Sequence, residues 1–423
     1  MFDWLVLSAQ HGRMGTSPRW LTCTPVRFPG DESFFARDSG LLCRGFQALG
    51  VPCQAVMPGP PLPGDCTRDL IRTAYRNLES PPWWRATGAE GVVLYAWGAA
   101  RYFPVARAIR QAGLKLVCNL DTSGTFGILG GPLEYWGALW RIQKGLGISP
   151  RSLTVFGAKF LSSFTWSLLK HDLGRSRHLH QADLIGAVSP LAVERIRRVC
   201  RWYGGEALAS RVRLIPHPVA MVMTYSNQIK KPRVVTVGRW TPEAWRQKNP
   251  FLLSEVATRV LHQNPRSEFV VVGAMEEGLR RRMLESAGSA ADRIRITGRL
   301  SHPNLVDLYQ VSQVSLCTSN HESFHISSAE ALCCGCSVVA PSLPELPSFA
   351  WFTSEASGRL AARHPSALAR AVLDELALWS QAGRDASQIA PPWCRRLHAD
   401  RVAAGLLDQL PKPAAGESRI PRG

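Results

Sequence analysis

Two carboxylates, Glu322 and Glu330, and two cations, Arg239 and Lys248, are the residues of this 423-residue chain whose types and spacing could do chemistry together. The segment from Thr318 to Glu330 follows the strand-like run VSLCT (314–318) and enters a helical pattern, so Glu322 falls in a loop and Glu330 well inside a helix. The first amides of a helix lack an intrahelical partner and bind phosphate; Ser323, Phe324, His325, Ile326 and Ser327 are expected to offer theirs. An anion held there, with one carboxylate before it and another along the helix, suits a ligand with phosphate in its middle and hydroxyls at both ends, such as a nucleotide sugar. Arg239 follows the run RVVTVG directly, and Lys248 precedes the Asn249-Pro250 helix start. Two cations at a strand's carboxyl end can clamp a diphosphate and stabilise it as a leaving group. Gly238, Gly273 and Gly298 close the runs RVVTVG, EFVVVG and RIRITG, where glycine either simply ends a strand or lets a loop pass close to a ligand.

Elements that alternate at a steady pace must position these groups. In the second half the β-type runs 233–237, 268–273, 293–298, 314–318 and 337–341 are separated by helical stretches over 251–261, 276–287, 303–310 and 326–334. Strands separated by helices specify βαβ units and a parallel sheet. The first half repeats the theme with strands expected at 20–26, 51–57, 91–97, 114–120, 182–189 and 211–216, and helices at 40–49 and 104–112. The expected class is therefore α/β, with two Rossmann-like domains at 20–220 and 231–385 facing across a cleft and a hinge at 219–232. A helical segment follows at 386–410, with a Pro-interrupted start and a helix from Trp393, expected to pack back toward the first domain; 411–423 reads as a disordered tail. Ligands in such sheets bind beyond the carboxyl ends of the strands, where the charged residues fall.

The motifs VVTVGRWTPEAWRQKNPFLLSEV, EFVVVG, RIRITGRL and LVDLYQVSQVSLCTSNHESFHISSAEALCCGCSVVAP, in that order, resemble the donor-binding half of the family 4 glycosyltransferases, closely over 233–345 and loosely over 85–220. The resemblance implies a GT-B fold and retaining transfer of a sugar from a nucleoside diphosphate sugar, UDP- or GDP-linked, to a hydroxyl acceptor, with no obligatory cofactor and no metal. It implies that Arg239 and Lys248 hold the diphosphate, Glu322 the transferred sugar and Glu330 the ribose, with Gly238, Gly273, Gly298 and the 323–326 turn close to the nucleotide. Where many relatives carry a histidine after the strand matching LKLVCNL, this chain has Asp121, a negative charge that needs compensation by Arg or Lys beside a diphosphate. His217, in IPHPV, stands where relatives often have Asn and Gly, and the N-terminal glycine loop could be at Gly12, Gly15 or Gly30. The competing readings are a nucleotide-sugar-binding protein that has lost transfer, and a nucleotide-sugar epimerase on the same fold.

Composition bounds the rest. The net charge of +18 comes from 42 Arg and 8 Lys against 32 acidic residues, scattered without a basic stripe, so nucleic acid is not expected as a partner. Eleven cysteines at irregular spacing form no C-x2-C pair; Cys333, Cys334 and Cys336 read as buried small residues at a helix end, and a reducing cytoplasm is the expected compartment. The N-terminus does not read as a signal peptide, and no window is apolar enough to span a bilayer. Residues 126–170 carry a load of aromatics (Phe126, Tyr135, Trp136, Trp140, Phe156, Phe160, Phe164 and Trp166 among them) that is either helix-packing surface or a peripheral contact with the inner face of a membrane.

Overall fold

A computed structural model describes residues 20–124, 133, 136, 137, 140, 149–166, 172–354 and 356–411. Gly12, Gly15, Phe126, Leu129, Tyr135, Leu139, nearly all of the expected tail, and the side chains of Phe164 and Trp166 lie outside the described residues.

The first sheet has seven strands: β1 (Trp20–Cys23), β2 (Cys53–Pro58), β3 (Leu70–Thr73), β4 (Gly91–Tyr95), β5 (Lys115–Leu120), β6 (Leu184–Ala187) and β7 (Val212–Leu214). They lie in the order β3-β2-β1-β4-β5-β6-β7, and every pair is parallel. The second sheet has β8 (Lys231–Val237), β9 (Glu268–Val272), β10 (Ile294–Gly298), β11 (Ser312–Leu316), β12 (Ser337–Pro341) and β13 (Gly358–Ala361), in the order β10-β9-β8-β11-β12-β13, again all parallel. Both orders reverse direction beside their first strand, between β1 and β4 and between β8 and β11, which is where a doubly wound sheet opens a crevice. Central strands are buried along their whole length, as β4 and β12 are, because helices cover both faces; their sequences accordingly run as unbroken apolar stretches.

The helices used below are α1 (Asp38–Ala48), α2 (Phe103–Gln111), α3 (Pro150–Trp166), α4 (Pro190–Ala209), α5 (Pro250–Gln263), α6 (Glu277–Ala287), α7 (His302–Gln310), α8 (Ile326–Cys333), α9 (Pro365–Ser380), α10 (Ala386–Leu397) and α11 (Ala399–Gln409). Strand β13 and helix α9 were not expected from the sequence. The GVVLYAW run stops as a strand at Tyr95 because Trp97 turns into the left-handed region, with φ 52°. The C-terminal segment also differs from expectation. Helix α10 starts at Ala386, capped by Asp385 on the Ser387 amide, and continues through Pro391 and Pro392; the break comes at His398. Two prolines remove helical hydrogen bonds, but Ile389, Ala390, Trp393 and Leu397 are buried, and that packing outweighs the loss. Helix α11 lies on α1: Val402, Ala403 and Leu406 join the cluster around Trp20 and Phe46, whose rings stack at 5.5 Å. Gly45 is required there, since a Cβ would sit 2.2 Å from the Ala399 carbonyl oxygen.

Candidate active site

Three glycines set the floor of the C-terminal half. Gly273 takes φ 121°, donates its N–H to the Gly298 carbonyl at 2.7 Å, and passes so near Gly238 that a Cβ would stand 1.8 Å from the Gly238 oxygen. Gly298 also has a positive φ, 68°. The backbones after β8, β9 and β10 therefore converge in a way side chains would forbid, which goes beyond simple strand termination at Gly273.

Above this floor the loops after β8 and β11, neighbours at the switch point, are tied together. Asn320 donates its N–H to the Gln247 carbonyl (2.7 Å) and its side-chain amide to the Arg246 carbonyl (2.9 Å), while Thr318 donates to the Lys248 carbonyl (2.9 Å). A short helical turn ends at Lys248, Asn249 reverses the chain at φ 49°, and the Asn249 side chain caps α5. This geometry delivers Lys248 Nζ to Glu322 Oε1 at 2.6 Å, with Gln247 Nε2 on Oε2 at 3.1 Å. The pair is largely shielded, at 14% and 9% exposure. Burial alone would raise the Glu322 pKa, but neighbouring positive charge holds it below its ordinary value. His325 is not that charge at neutral pH: burial, reinforced by Lys248, pushes its pKa down to about 4, so Lys248 supplies it. Arg239 stands exposed beside the buried Trp240, with no ion pair among the described residues.

The turn before α8 departs from expectation. The helix begins at Ile326, so Ser323 and Phe324 are not first-turn residues, and His325 caps it in the left-handed region at φ 67°. Phe324 turns its side chain into the interior, against Phe352 at 5.1 Å and against His217 of the other half at 5.5 Å. The left-handed His325 is the physical cause, since it breaks the run of helical dihedrals one residue before Ile326. Glu330 is buried, with His302 Nε2 at 3.8 Å, and the facing carboxylate raises the His302 pKa.

The N-terminal half is built round an ion pair. Asp121 follows β5 and His217 follows β7; His217 Nε2 lies 2.8 Å from Asp121 Oδ1, and Nδ1 lies 3.7 Å from Asp38 Oδ1 at the start of α1. His217 is 2% exposed and Asp121 28%. Burial opposes both charges. The attraction between them overcomes it, bringing Asp121 down to about 2 and His217 up to about 8, with the nearby Ser323 and Trp97 side chains also favouring the carboxylate. The two halves meet at this pair, where the Phe324 ring of the C-terminal half stands 5.5 Å from the His217 ring. The compensating cation expected for Asp121 is therefore a histidine, not Arg or Lys. Asp38 (φ 50°), Trp97, Asn249 and His325 are four of the six non-glycine residues with positive φ among the described residues. Such conformations cost roughly 1–3 kcal/mol each and gather at sites where geometry is imposed.

The structure thus brings Lys248, Glu322, Gly238, Gly273 and Gly298 together on one side and pairs Asp121 with His217 on the other, with Phe324 packed inward against His217. Gly30 is remote in role: it donates its N–H to Asp65, and a Cβ would collide with Leu70. Sequence reading passed over Asp38, Trp97, Gln247 and His302, and gave His217 no partner. His217 had a usable signal, since it lies just beyond a strand's carboxyl end; Asp38 and Trp97 had none, because left-handed backbone leaves no mark in residue types such as these.

All eleven cysteines are free thiols. No helix among the described residues is long and apolar enough to cross a membrane.

Residues 231–377 match the family Glycosyl transferases group 1. No curated protein matches the chain. Sucrose-phosphate synthase from Thermosynechococcus elongatus aligns with a TM-score of 0.56 at 16% identity, over 92% of this chain and 98% of that one. Alr3699/HepE of Anabaena, in complex with UDP and glucose, aligns at 0.57 and 13% identity, over 93% and 99%. The lipopolysaccharide outer core galactosyltransferase WaaB, in its apo form, aligns at 0.58 and 13% identity, over 92% and 98%. At these identities the likeness is one of fold, and that fold is the two-domain GT-B architecture expected from the motifs.

Proposed function

We propose that this chain, whose residues 231–377 are a group 1 glycosyl transferase domain on a GT-B fold, is a retaining enzyme of the family 4 type that moves a sugar from a nucleoside diphosphate sugar to a hydroxyl acceptor. The observation that carries the reading is the buried Lys248–Glu322 pair at the β8/β11 switch point. A cation and a carboxylate joined at 2.6 Å are a site waiting for a ligand with both kinds of group: diphosphate oxygens take Lys248, and a sugar hydroxyl takes the ionised Glu322. Arg239, exposed at the end of β8, adds the second positive charge on the diphosphate. Glu330 receives the ribose hydroxyls, and the glycines at 238, 273 and 298 let the backbone approach the nucleotide. That Anabaena HepE was solved with UDP and with UDP-glucose supports a UDP-linked donor as the first to try.

Charge explains the role given to Asp121. A bare carboxylate beside a diphosphate would repel it, whereas one paired with protonated His217 presents a nearly neutral group that still accepts a hydrogen bond from a donor hydroxyl. Held by His217 at 2.8 Å, it is a poor nucleophile. The reaction runs on the front face: as the bond from the anomeric carbon to the diphosphate oxygen breaks, that oxygen takes the acceptor's proton and the acceptor oxygen bonds to the same face of the carbon. The chain orients the partners and stabilises the departing charge.

A thermal-shift series with UDP- and GDP-sugars tests the donor, since a ligand that binds only the folded chain must stabilise it. At least one should raise the midpoint, and NMR of the transfer product should show the donor's anomeric configuration. Failure of every nucleoside diphosphate sugar removes the donor site as read; an inverted product removes the mechanism alone. The exposed Leu153, Val155 and Leu161 of α3 support a peripheral contact with the inner face of a membrane, which vesicle sedimentation measures.

A further inference from the structure

Away from the cleft, three soft or nitrogen ligands meet where the chain crosses between domains. Cys333 ends α8, Cys394 lies in the last turn of α10, and His398 is the junction between α10 and α11. One ligand atom from each lies within 4.8 Å of the others. The junction is pinned to the interdomain connection on both sides: Val219 donates its N–H to the Leu397 carbonyl at 2.7 Å, and Ala399 donates to the Val219 carbonyl at 3.0 Å.

The histidine is already oriented. His398 Nε2 lies 2.9 Å from the Met223 carbonyl oxygen, which can only accept, so Nε2 carries a proton and Nδ1 is the nitrogen left to face a metal. Histidines that bind metals are held in this way, one nitrogen on a backbone carbonyl and the other on the ion. Cys394 Sγ donates to the Cys333 carbonyl at 3.4 Å and interacts with the Cys333 and His398 side chains, whereas the neighbouring Cys336 is turned away, donating toward the Tyr309 and Ser312 carbonyls at 3.2 Å each.

We propose that Cys333 Sγ, Cys394 Sγ and His398 Nδ1 form a binding site for a soft divalent cation of the zinc class, which ties the end of α8 to the α10–α11 junction and so sets the interdomain connection. Zinc bonds of roughly 2.3 Å to sulfur and 2.0 Å to nitrogen place tetrahedral ligands about 3.5–3.8 Å apart, so the present spacing needs to close by only about 1 Å. Charge favours the assignment: two thiolates cancel the cation, leaving a neutral complex among Phe352, Trp393 and Leu397, which share the apolar cluster with Cys333. The sulfurs bind as thiolates and the imidazole as its neutral form, so affinity should fall as the pH is lowered. Cys333 is fully buried, but Cys394 and His398 are half-buried, which leaves the fourth position open to water.

The test uses the full chain, reduced and stripped with a chelator, then titrated with Co2+ and back-titrated with Zn2+. About one Co2+ per chain should bind with a thiolate-to-metal absorbance band that Zn2+ abolishes. Cys394→Ser and His398→Gln should weaken Co2+ binding by on the order of 100-fold, while Cys66→Ser, a half-buried thiol elsewhere, should keep it. Absence of the band in the wild-type chain overturns the site, as does its persistence in Cys394→Ser. If the variants fail to fold, the wild-type chain still decides: Zn2+ must raise its unfolding midpoint under reducing conditions, and an unchanged midpoint overturns the proposal. The readout is independent of donor binding, so this site and the proposed activity stand or fall separately.

Discussion

The two walls of the cleft handle charge differently. On the C-terminal wall, Lys248 and Glu322 neutralise each other from loops that follow adjacent strands, and both can exchange that partner for a ligand. On the N-terminal wall His217 is sealed between Asp38 and Asp121, and its own charge exists only because those carboxylates stand there. The first is an exchangeable pair and the second a fixed one. Breaking the first should therefore register in ligand binding and turnover; breaking the second should register in stability and in pH dependence.

The largest effect is expected from Lys248→Ala. If Lys248 meets the leaving diphosphate as proposed, removing it takes away a charge worth on the order of 100-fold in transfer. It also leaves Glu322 without its cation, so the carboxylate pKa should rise from its lowered value. Turnover at saturating donor and acceptor measures this, with circular dichroism as the check on folding. Wild-type turnover in the mutant would assign the diphosphate elsewhere.

A smaller and more discriminating effect separates the two glutamates. If Glu330 holds the ribose, Glu330→Gln should weaken free UDP or GDP by roughly 2 kcal/mol, the scale of a hydrogen bond to a charged group. Glu322→Gln should leave free nucleotide nearly untouched and weaken only the intact sugar nucleotide. Calorimetry with both ligands checks the ranking; the reverse order would exchange the two roles.

The same contrast explains what could be read in advance. The alternation of strands and helices, the strand-end glycines and the spacing of Arg239, Lys248, Glu322 and Glu330 were legible because these residues follow strands in sequence, and a parallel sheet delivers strand ends to one edge whatever the packing details. The pairing of Lys248 with Glu322 was not, since it depends on the left-handed Asn249 turning the chain. The N-terminal wall was less legible still. Asp38, Trp97, Asp121 and His217 are spread over 180 residues, and they meet only because β1, β4, β5 and β7 share one sheet. The start of α8 was expected where it lies, but Ser323 and Phe324 were given first-turn amides they do not offer, because His325 adopts φ 67° and Phe324 is drawn inward by Phe352.

The smallest expected effect, and the one that tests whether the N-terminal pair is fixed, is on stability against pH. The pKa of His217 is raised from 6.5 to about 8, so its contribution is fully present below 6.5 and is lost as the pH rises through 8. That of Asp121 is lowered from 3.8 to about 2, so its contribution is present above 3.8 and is lost as the pH falls through 2. The pair is thus at full strength between about pH 4 and 6.5. A shift of this size in a buried histidine corresponds to about 2 kcal/mol, and the partial exposure of Asp121 reduces it to roughly 1–2 kcal/mol. Urea unfolding of the wild-type chain should lose that much between pH 6.5 and pH 8.5. In Asp121→Asn the facing charge is gone and only the more distant Asp38 remains, so burial should pull the His217 pKa down and the loss across the same window should shrink or vanish. The difference between the two profiles isolates the pair from every other titrating group, and NMR titration of the His217 ring gives its pKa directly. Parallel profiles would mean that Asp121 does not hold the His217 proton, and the carboxylate would then face a bound diphosphate uncompensated.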